Sequence, residues 1–260
     1  MIVSRSTPSG FSLVELSIVL VILGLLTGGI LGGQSLIRAA ELRAVSTELN
    51  RHVAAIQIFR DKYFALPGDM PNATSFWGVA HATPATCATT ASTTVATCNG
   101  DGNGAIFPTV NSYEQFRFWQ HLANAGLLEG SYSGSGPAAT IATMANSPRS
   151  KLGNGLWYTV TYSIPVSGHV DLLDGNYGSI LIAGVPQPTT IPYGPTMRPE
   201  ELWNIDTKMD DGRPGTGQVG FFGYGTVADC STAANSTTIN PDYRLASSAI
   251  VCTPLWRNIY

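Results

Sequence analysis

A long apolar run near the amino terminus constrains this chain more than any other feature of its sequence. From Leu16 to Gly33 the letters LSIVLVILGLLTGGILGG contain only Ser17 and Thr27 as polar interruptions. With residues 11–14 added, the run reaches the roughly 20 residues that a helix needs to span a bilayer. It is longer than the apolar part of an ordinary secretory signal, which has about 7 to 15 residues. The run therefore predicts a membrane helix.

One carboxylate lies inside this segment. Glu15 is the only charged residue between Arg5 and Arg38. A charge in the apolar part of a bilayer costs on the order of a few kcal/mol, and a plain membrane anchor gives no reason for it. Glu15 therefore needs a partner.

The residues before the apolar run form a motif. The string GFSLVE extends from Gly10 to Glu15, and the basic residue Arg5 precedes it. This string resembles the processing site of type IV prepilins and type II secretion pseudopilins, in which a short leader is cut after the glycine. In that family the new amino-terminal residue is N-methylated and a glutamate stays at mature position five. The resemblance implies a leader of residues 1–10, methylation of Phe11 and an assembly role for Glu15.

Cleavage of the leader gives a reason for a carboxylate in the apolar segment. Cleavage after Gly10 creates an ammonium group on Phe11, and Glu15 of a neighbouring subunit can neutralise it inside a packed helical bundle. Because an unpaired buried charge is expensive, such a pair fixes register between subunits more than it adds stability. The implied partners are a prepilin peptidase, other pilin or pseudopilin subunits and the inner membrane.

The helical pattern continues past the apolar run. Apolar residues recur every three or four positions from Leu42 to Tyr63, with charged residues between them. This spacing predicts a transmembrane helix over residues 11–33 and its amphipathic continuation over residues 34–64. The string LPGD at residues 66–69 ends the helix.

Glycines within the apolar run allow two interpretations. Small residues such as Gly24, Gly28 and Gly32 favour close helix packing in a membrane. Each glycine also weakens a helix by about 1 kcal/mol, so the stretch could lose helical structure in a filament. The family's melted stretch lies near the position of Gly24, but its proline is replaced here by Gly32.

Residues 65–260 predict a globular head with loops. One helix is expected at Tyr113–Leu128, and an antiparallel sheet packed on the long helix is the economical arrangement, which makes the fold class α+β. Strands are expected at residues 156–165, 168–173, 179–185 and 218–224. Surface loops are expected at residues 80–97, 129–154 and 186–199.

Four cysteines form two local pairs. In the sequence, Cys87 is close to Cys98, and Cys230 is close to Cys252. Three connectivities are possible, and sequential pairing is favoured because each pair brackets a low-complexity loop. A head that crosses into an oxidising compartment favours disulfides over zinc, since no CxxC or HxxxH spacing occurs.

A first cluster of oxygen ligands could hold calcium. Asn99, Asp101 and Asn103 stand at alternate positions, as in the first half of a calcium loop. The glutamate of the twelfth position is missing, so a bidentate ligand would have to come from elsewhere, from Glu114 or Asp69. An Asn/Gly/Asp turn without metal explains the same letters.

A second cluster contains Asp206, Asp210 and Asp211. Lys208 stands at the third ligand position, which argues against an ordinary calcium loop, and a turn again explains the pattern. Major pseudopilins bind calcium in a carboxyl-terminal loop, but these aspartates cannot be matched to it one by one. Calcium is therefore a candidate cofactor that function does not require.

The net charge and the absence of certain sequence motifs argue against other functional classes of protein. The net charge of −3 and the acidic head, with eight basic and thirteen acidic residues in 65–260, exclude a broad surface for nucleic acid. The four histidines are scattered, and no nucleophile elbow, phosphate loop or dinucleotide fingerprint occurs, so no enzyme is expected.

The sequence thus predicts a pilin-like structural subunit, with the head size favouring a minor or specialised one. It would insert in the inner membrane of a Gram-negative bacterium and then enter a periplasmic or cell-surface filament. The alternative is a membrane-tethered adhesin or binding module that never polymerises. Such a tether requires neither Glu15 nor the junction between Gly10 and Phe11.

Overall fold

The computed structural model describes residue 10 and residues 12–108 and 113–260. Contacts divide the chain into two compact units, Met1–Arg43 and Ala44–Tyr260. Helix α1, Leu13–Tyr63, has 51 residues and contributes to both units. The boundary between the units lies within the segment predicted to be the amphipathic continuation of the helix.

The first unit consists, in its described part, mainly of the beginning of α1. None of its described residues is buried, and apolar side chains such as Leu16 (56% exposed) and Leu25 (73% exposed) lie open along the helix. By length and composition this helix can cross a membrane. A continuous exposed apolar surface is unfavourable in water, so it suits lipid or neighbouring helices.

The second unit surrounds a four-stranded antiparallel sheet. The strand order is β1-β2-β4-β3, and the α+β prediction is confirmed. The strands are β1 Leu156–Tyr162, β2 Gly178–Gly184, β3 Val219–Gly223 and β4 Cys252–Arg257. The helices that follow α1 are α2 Thr74–Trp77, α3 Pro84–Thr89, α4 Glu114–Asn124, α5 Pro199–Met209 and α6 Val227–Cys230.

The last five turns of α1 pack on one face of this sheet. Trp157 of β1 contacts His52 of α1 and Trp256 of β4, with ring centroids 4.9 and 5.4 Å apart. The carboxylate of Glu48 accepts a hydrogen bond from the backbone N–H of Lys151 at 3.0 Å. The buried residues of α1 are Val45, Leu49, His52, Ala55, Ile56 and Phe59.

The opposite face of the sheet is covered by loops and by α4. Ala139 and Ala142 are buried there against strand residues, together with Phe116 of α4. The strand residues in this cluster are Leu156, Tyr158, Val160, Ile180, Ile182, Phe222 and Leu255. Residues 129–154 form a loop without helix or strand, as predicted, but the prediction that this loop lies at the surface is wrong for its buried residues, because small side chains in this segment complete the core.

One strand prediction is wrong, and one strand of the sheet was not predicted. Residues 168–173 form bends instead of a strand, although Leu172 and Leu173 are buried. Strand β4 was not predicted, because Pro254 lacks the N–H that a central strand normally donates. In the structure the pairing of β4 with β2 begins at Leu255, the residue after this proline, so the missing donor costs no bond there.

Both predicted cysteine pairs are present as disulfides. Cys87 of α3 is bonded to Cys98, and Cys230 of α6 is bonded to Cys252 of β4. Each bond closes a short loop, which reduces the conformational entropy of the unfolded chain. The second disulfide also joins α6 to the sheet.

His52 occupies an apolar position in the interface between α1 and the sheet. Its ring lies edge-on to Trp119 and Trp157, at 5.3 and 4.9 Å between centroids, and is 4% exposed. Its Nδ1 atom has no hydrogen-bond partner. Burial, with a smaller contribution from the charge of Arg51, lowers the pKa of His52 to about 4.

This geometry predicts acid sensitivity of the second unit. The folded pKa of His52 is below the unfolded value of 6.5, so its contribution to stability is present above pH 6.5 and is lost as the pH falls towards 4. Between pH 7.5 and 4.5, residues 44–260 should lose about 2 to 3 kcal/mol more unfolding free energy than the same fragment carrying His52→Phe. Urea unfolding followed by far-ultraviolet circular dichroism measures this difference. Equal losses in the two proteins would contradict it.

Candidate functional site

The beginning of α1 carries the residues of the predicted processing site. Gly10 lies outside the helix, whereas Phe11 and residues 1–9 lie outside the described residues. Ser12 is the residue before the helix, and the N–H of Leu16 donates to its carbonyl oxygen at 3.2 Å. Cleavage after Gly10 and methylation of Phe11 stay predictions.

Glu15 is exposed on the first turn of α1. Its Oε2 atom accepts a hydrogen bond from the backbone N–H of Ser12 at 2.9 Å. The Oγ atom of Ser12 accepts one in return from the backbone N–H of Val14 at 3.3 Å. The carboxylate thus has a local partner within its own chain, which sequence reasoning missed although Ser and Glu three residues apart are typical of a helix start. Its pairing with a neighbouring subunit stays a prediction.

Glycines follow along the same helix. Gly24, Gly28 and Gly32 recur every four residues and therefore share one side of α1. The helix is continuous through them, and a Cβ atom added at any of the three would meet nothing within 4 Å. Small residues on one side allow another helix backbone to approach closely, which fits the packing interpretation.

The first acidic cluster joins three distant segments. Carboxylate oxygens of Asp69, Asp101 and Glu114 lie within 4.8 Å of one another. Asp69 and Glu114 are the two residues that the sequence offered to complete a site around Asp101. The asparagines have other contacts: Oδ1 of Asn99 accepts from the N–H of Thr74 at 2.9 Å. Oδ1 of Asn103 accepts from the N–H of Ala105 at 2.8 Å.

Asp69 organises the loop that follows the first disulfide. Its carboxylate accepts hydrogen bonds from the backbone N–H groups of Gly102, Asn103 and Gly104 at 2.7, 3.0 and 2.9 Å. The chain can wrap around it because Gly102 and Gly104 have φ of +74° and +81°, a region that other residues rarely adopt. Burial nevertheless raises the pKa of Asp69.

Glu114 is the first residue of α4 and is buried. Its two carboxylate oxygens accept hydrogen bonds from the N–H groups of Asp101 and Phe107, each at 3.3 Å. Burial, with the nearby charges of Asp101 and Asp69, raises the pKa of Glu114 to about 7. Three acidic groups held this close repel one another when ionised, and a cation would relieve that repulsion.

The second acidic cluster lies at the end of α5. Carboxylate oxygens of Asp206, Asp210 and Asp211 also lie within 4.8 Å of one another. Asp206 is buried and accepts hydrogen bonds from the hydroxyl of Tyr243 at 2.7 Å and the N–H of Gly212 at 3.0 Å. Burial raises the pKa of Asp206 to about 6.

The remaining members of this cluster support the adjoining turn. Asp210 accepts a hydrogen bond from the N–H of Gln218, and Asp211 accepts one from the N–H of Arg213 at 2.9 Å. These bonds are what the turn interpretation requires. Calcium binding at either cluster stays a prediction.

Comparison with known proteins identifies one segment of the chain. Residues 5–31 match a family model described as the prokaryotic N-terminal methylation motif. The match includes Gly10, Ser12 and Glu15. No curated protein and no solved structure gave a significant match to the chain.

The geometry of the first cluster sharpens the calcium prediction. We expect calcium, and magnesium much less, to raise the melting temperature of residues 44–260 above its value in chelator, because Ca²⁺ accepts irregular oxygen ligands. At a calcium concentration 100-fold above the dissociation constant, the rise should be about 5 to 10 °C. Asp101→Asn should abolish the rise, and the matched variant Asp211→Asn should keep it. Calorimetric scans test this, and equal melting temperatures in calcium and chelator would contradict it.

Proposed function

Because residues 5–31 carry the prepilin-type cleavage and methylation segment of type IV pilins and pseudopilins, we propose that this pilin-like chain is a structural subunit of a type IV pilus or a type II secretion pseudopilus. A prepilin peptidase removes residues 1–10 and methylates the new amino group of Phe11. The mature subunit then joins other pilin or pseudopilin subunits through α1. The motif is the observation that carries this proposal.

The surface of α1 supports assembly through this helix. Its described residues up to Arg43 are not buried, and they can cross a membrane by length and composition. In a bilayer this surface contacts lipid, and in a filament it contacts the same surface of neighbouring subunits. Both environments hide the apolar side chains from water, so a subunit can pass from one to the other at low cost.

The second unit supports a location outside the inner membrane. It has a core of its own and two disulfides, which form and persist in oxidising compartments. We assign the mature protein to the inner membrane of a Gram-negative bacterium before assembly and to a periplasmic or cell-surface filament afterwards. The pilin-type motif favours a structural role over an enzymatic one, and the size of the unit favours a minor subunit.

Processing gives the first test of this function. Intact-mass analysis of the protein extracted from membranes should show a chain that begins at Phe11 and carries one additional methyl group. A strain without the prepilin peptidase should accumulate the uncut precursor. A mature chain that starts at residue 1, or that is cut near Gly33, would refute the pilin assignment.

Assembly gives the second test. Glu15→Val should leave membrane insertion intact, because it removes a charge from an apolar segment, and it should sharply reduce the amount of subunit in sheared filaments. Glu41→Val, in the same helix but beyond the apolar run, is a matched control that should still assemble. Normal incorporation of the Glu15 variant would favour a membrane tether that does not polymerise.

A further inference from the structure

We propose that a pocket between α2, α3 and α4 binds a small oxyanion, a carboxylate or a phosphate group, through the guanidinium group of Arg117. The pocket has a volume of about 240 Å³ and lies within the second unit. Because the site does not involve the motif at the start of α1, this proposal goes beyond the proposed function, and its failure would leave that function intact.

Arg117 is a buried cation in the first turn of α4. Only 2% of the residue is exposed. Burial lowers the pKa of Arg117 to about 10, against an opposing effect of the charge of Glu114, so the guanidinium group is still protonated at neutral pH. A buried charge is costly unless an opposite charge or a full set of hydrogen bonds compensates it.

The described residues compensate this charge only in part. The Nη atoms of Arg117 donate to the carbonyl oxygens of Asn99 at 3.2 Å and of Cys87 at 3.5 Å, and the second distance is long for a hydrogen bond. Within the described part of the chain no carboxylate forms an ion pair with Arg117. Glu114, three residues earlier, accepts the N–H groups of Asp101 and Phe107. Since a guanidinium group has five N–H donors in a planar fork, donors remain for a ligand.

A second buried arginine shows how this chain surrounds a guanidinium group with protein groups alone. Arg257 of β4 donates to the carbonyl oxygens of three consecutive residues, 214–216, at distances from 2.8 to 3.3 Å. Its guanidinium group also lies over the ring of Tyr177, at 4.5 Å from the centroid. Arg117 has fewer and longer contacts of this kind, and it lines a pocket.

The other polar groups of the lining suit an anion. Oδ1 of Asn99 accepts the N–H of Thr74 at 2.9 Å, so the NH₂ group of the same amide is left to donate. Nδ1 of His81 accepts the N–H of Thr83 at 3.1 Å, so the neutral ring carries its proton on Nε2 and can also donate. The described residues that line the pocket include no aspartate and no glutamate.

The first disulfide fixes the position of the guanidinium group. Cys87 and Cys98 are bonded to each other, and both line the pocket. The two carbonyl groups that accept from Arg117 belong to Cys87 and to Asn99, the residue after Cys98. The covalent bond therefore holds both acceptors in place before a ligand binds, and a preorganised site loses less conformational entropy on binding.

The experiment titrates the full-length, ¹⁵N-labelled protein in nonionic detergent micelles with sodium acetate and, separately, with inorganic phosphate. Sodium chloride keeps the ionic strength constant. The Nε–H resonance of Arg117 should shift and saturate with at least one anion, and the anion that saturates at the lower concentration distinguishes a carboxylate site from a phosphate site. The Nε–H resonance of Arg257 should not shift, because its Nε atom is buried. A saturable shift with neither anion, or an equal shift with chloride alone, would overturn the proposal.

Variants at exposed residues locate the site. Ala82→Phe introduces a ring at the lining and should weaken binding of the better anion about tenfold or more. His81→Ala should weaken it about threefold, as expected for the loss of one hydrogen bond. The matched control Ala85→Phe lies in α3 outside the lining and should keep the wild-type affinity. Because residues 81, 82 and 85 are exposed, all three variants should fold. Wild-type affinity in Ala82→Phe, or equal weakening in Ala85→Phe, would overturn the assignment of the site to this pocket.

Discussion

The need of α1 to cover its apolar surface controls the structure of the chain. From Leu13 to Arg43 the helix buries nothing within the described residues, so lipid or other helices must supply the contacts. From Ala44 to Tyr63 the same helix places one side against the sheet, where His52 lies between two tryptophans. One continuous element therefore serves two environments, and its side chains change from uniformly apolar to amphipathic accordingly.

Periodicity made this helix predictable, and long-range packing made parts of the second unit unpredictable. Leu49, Ile56 and Phe59 recur at helical spacing and are buried as expected. The alanines in residues 129–154 carry no such pattern, yet they fill gaps beneath the sheet because small side chains suit a tightly packed site. Strand β4 was difficult to predict for a different reason. Whether Pro254 removes a hydrogen bond of the sheet depends on which side of the strand is paired at that residue.

In the acidic clusters, too, the spacing of neighbouring residues could be read from the sequence, whereas the contacts between distant segments could not. The spacing of oxygen ligands around Asp101 predicted a calcium loop that lacks one ligand. The fold brings Asp69 and Glu114 close to Asp101 from other segments of the sequence. Sequence reasoning did not foresee that Asp69 would accept three backbone N–H groups of the loop. These N–H groups belong to residues 33, 34 and 35 positions away from Asp69, and no local pattern encodes such a contact.

The carboxylate at the start of α1 illustrates how one charge can be tolerated in an apolar segment. A carboxylate that serves only to pair subunits would have no partner in the membrane before assembly, and that unpaired state would be costly. The bond from the N–H of Ser12 gives Glu15 a partner in the single chain and gives the helix start an acceptor. A buried charge is stabilised by hydrogen bonds as well as by an opposite charge. In the proposed assembly, an interaction with a neighbouring ammonium group would therefore add to this bond without having to replace it. In the proposed filament, selection of the correct neighbour would then depend on the charge, while the hydrogen bonds of Ser12 and Glu15 hold the first turn of the helix.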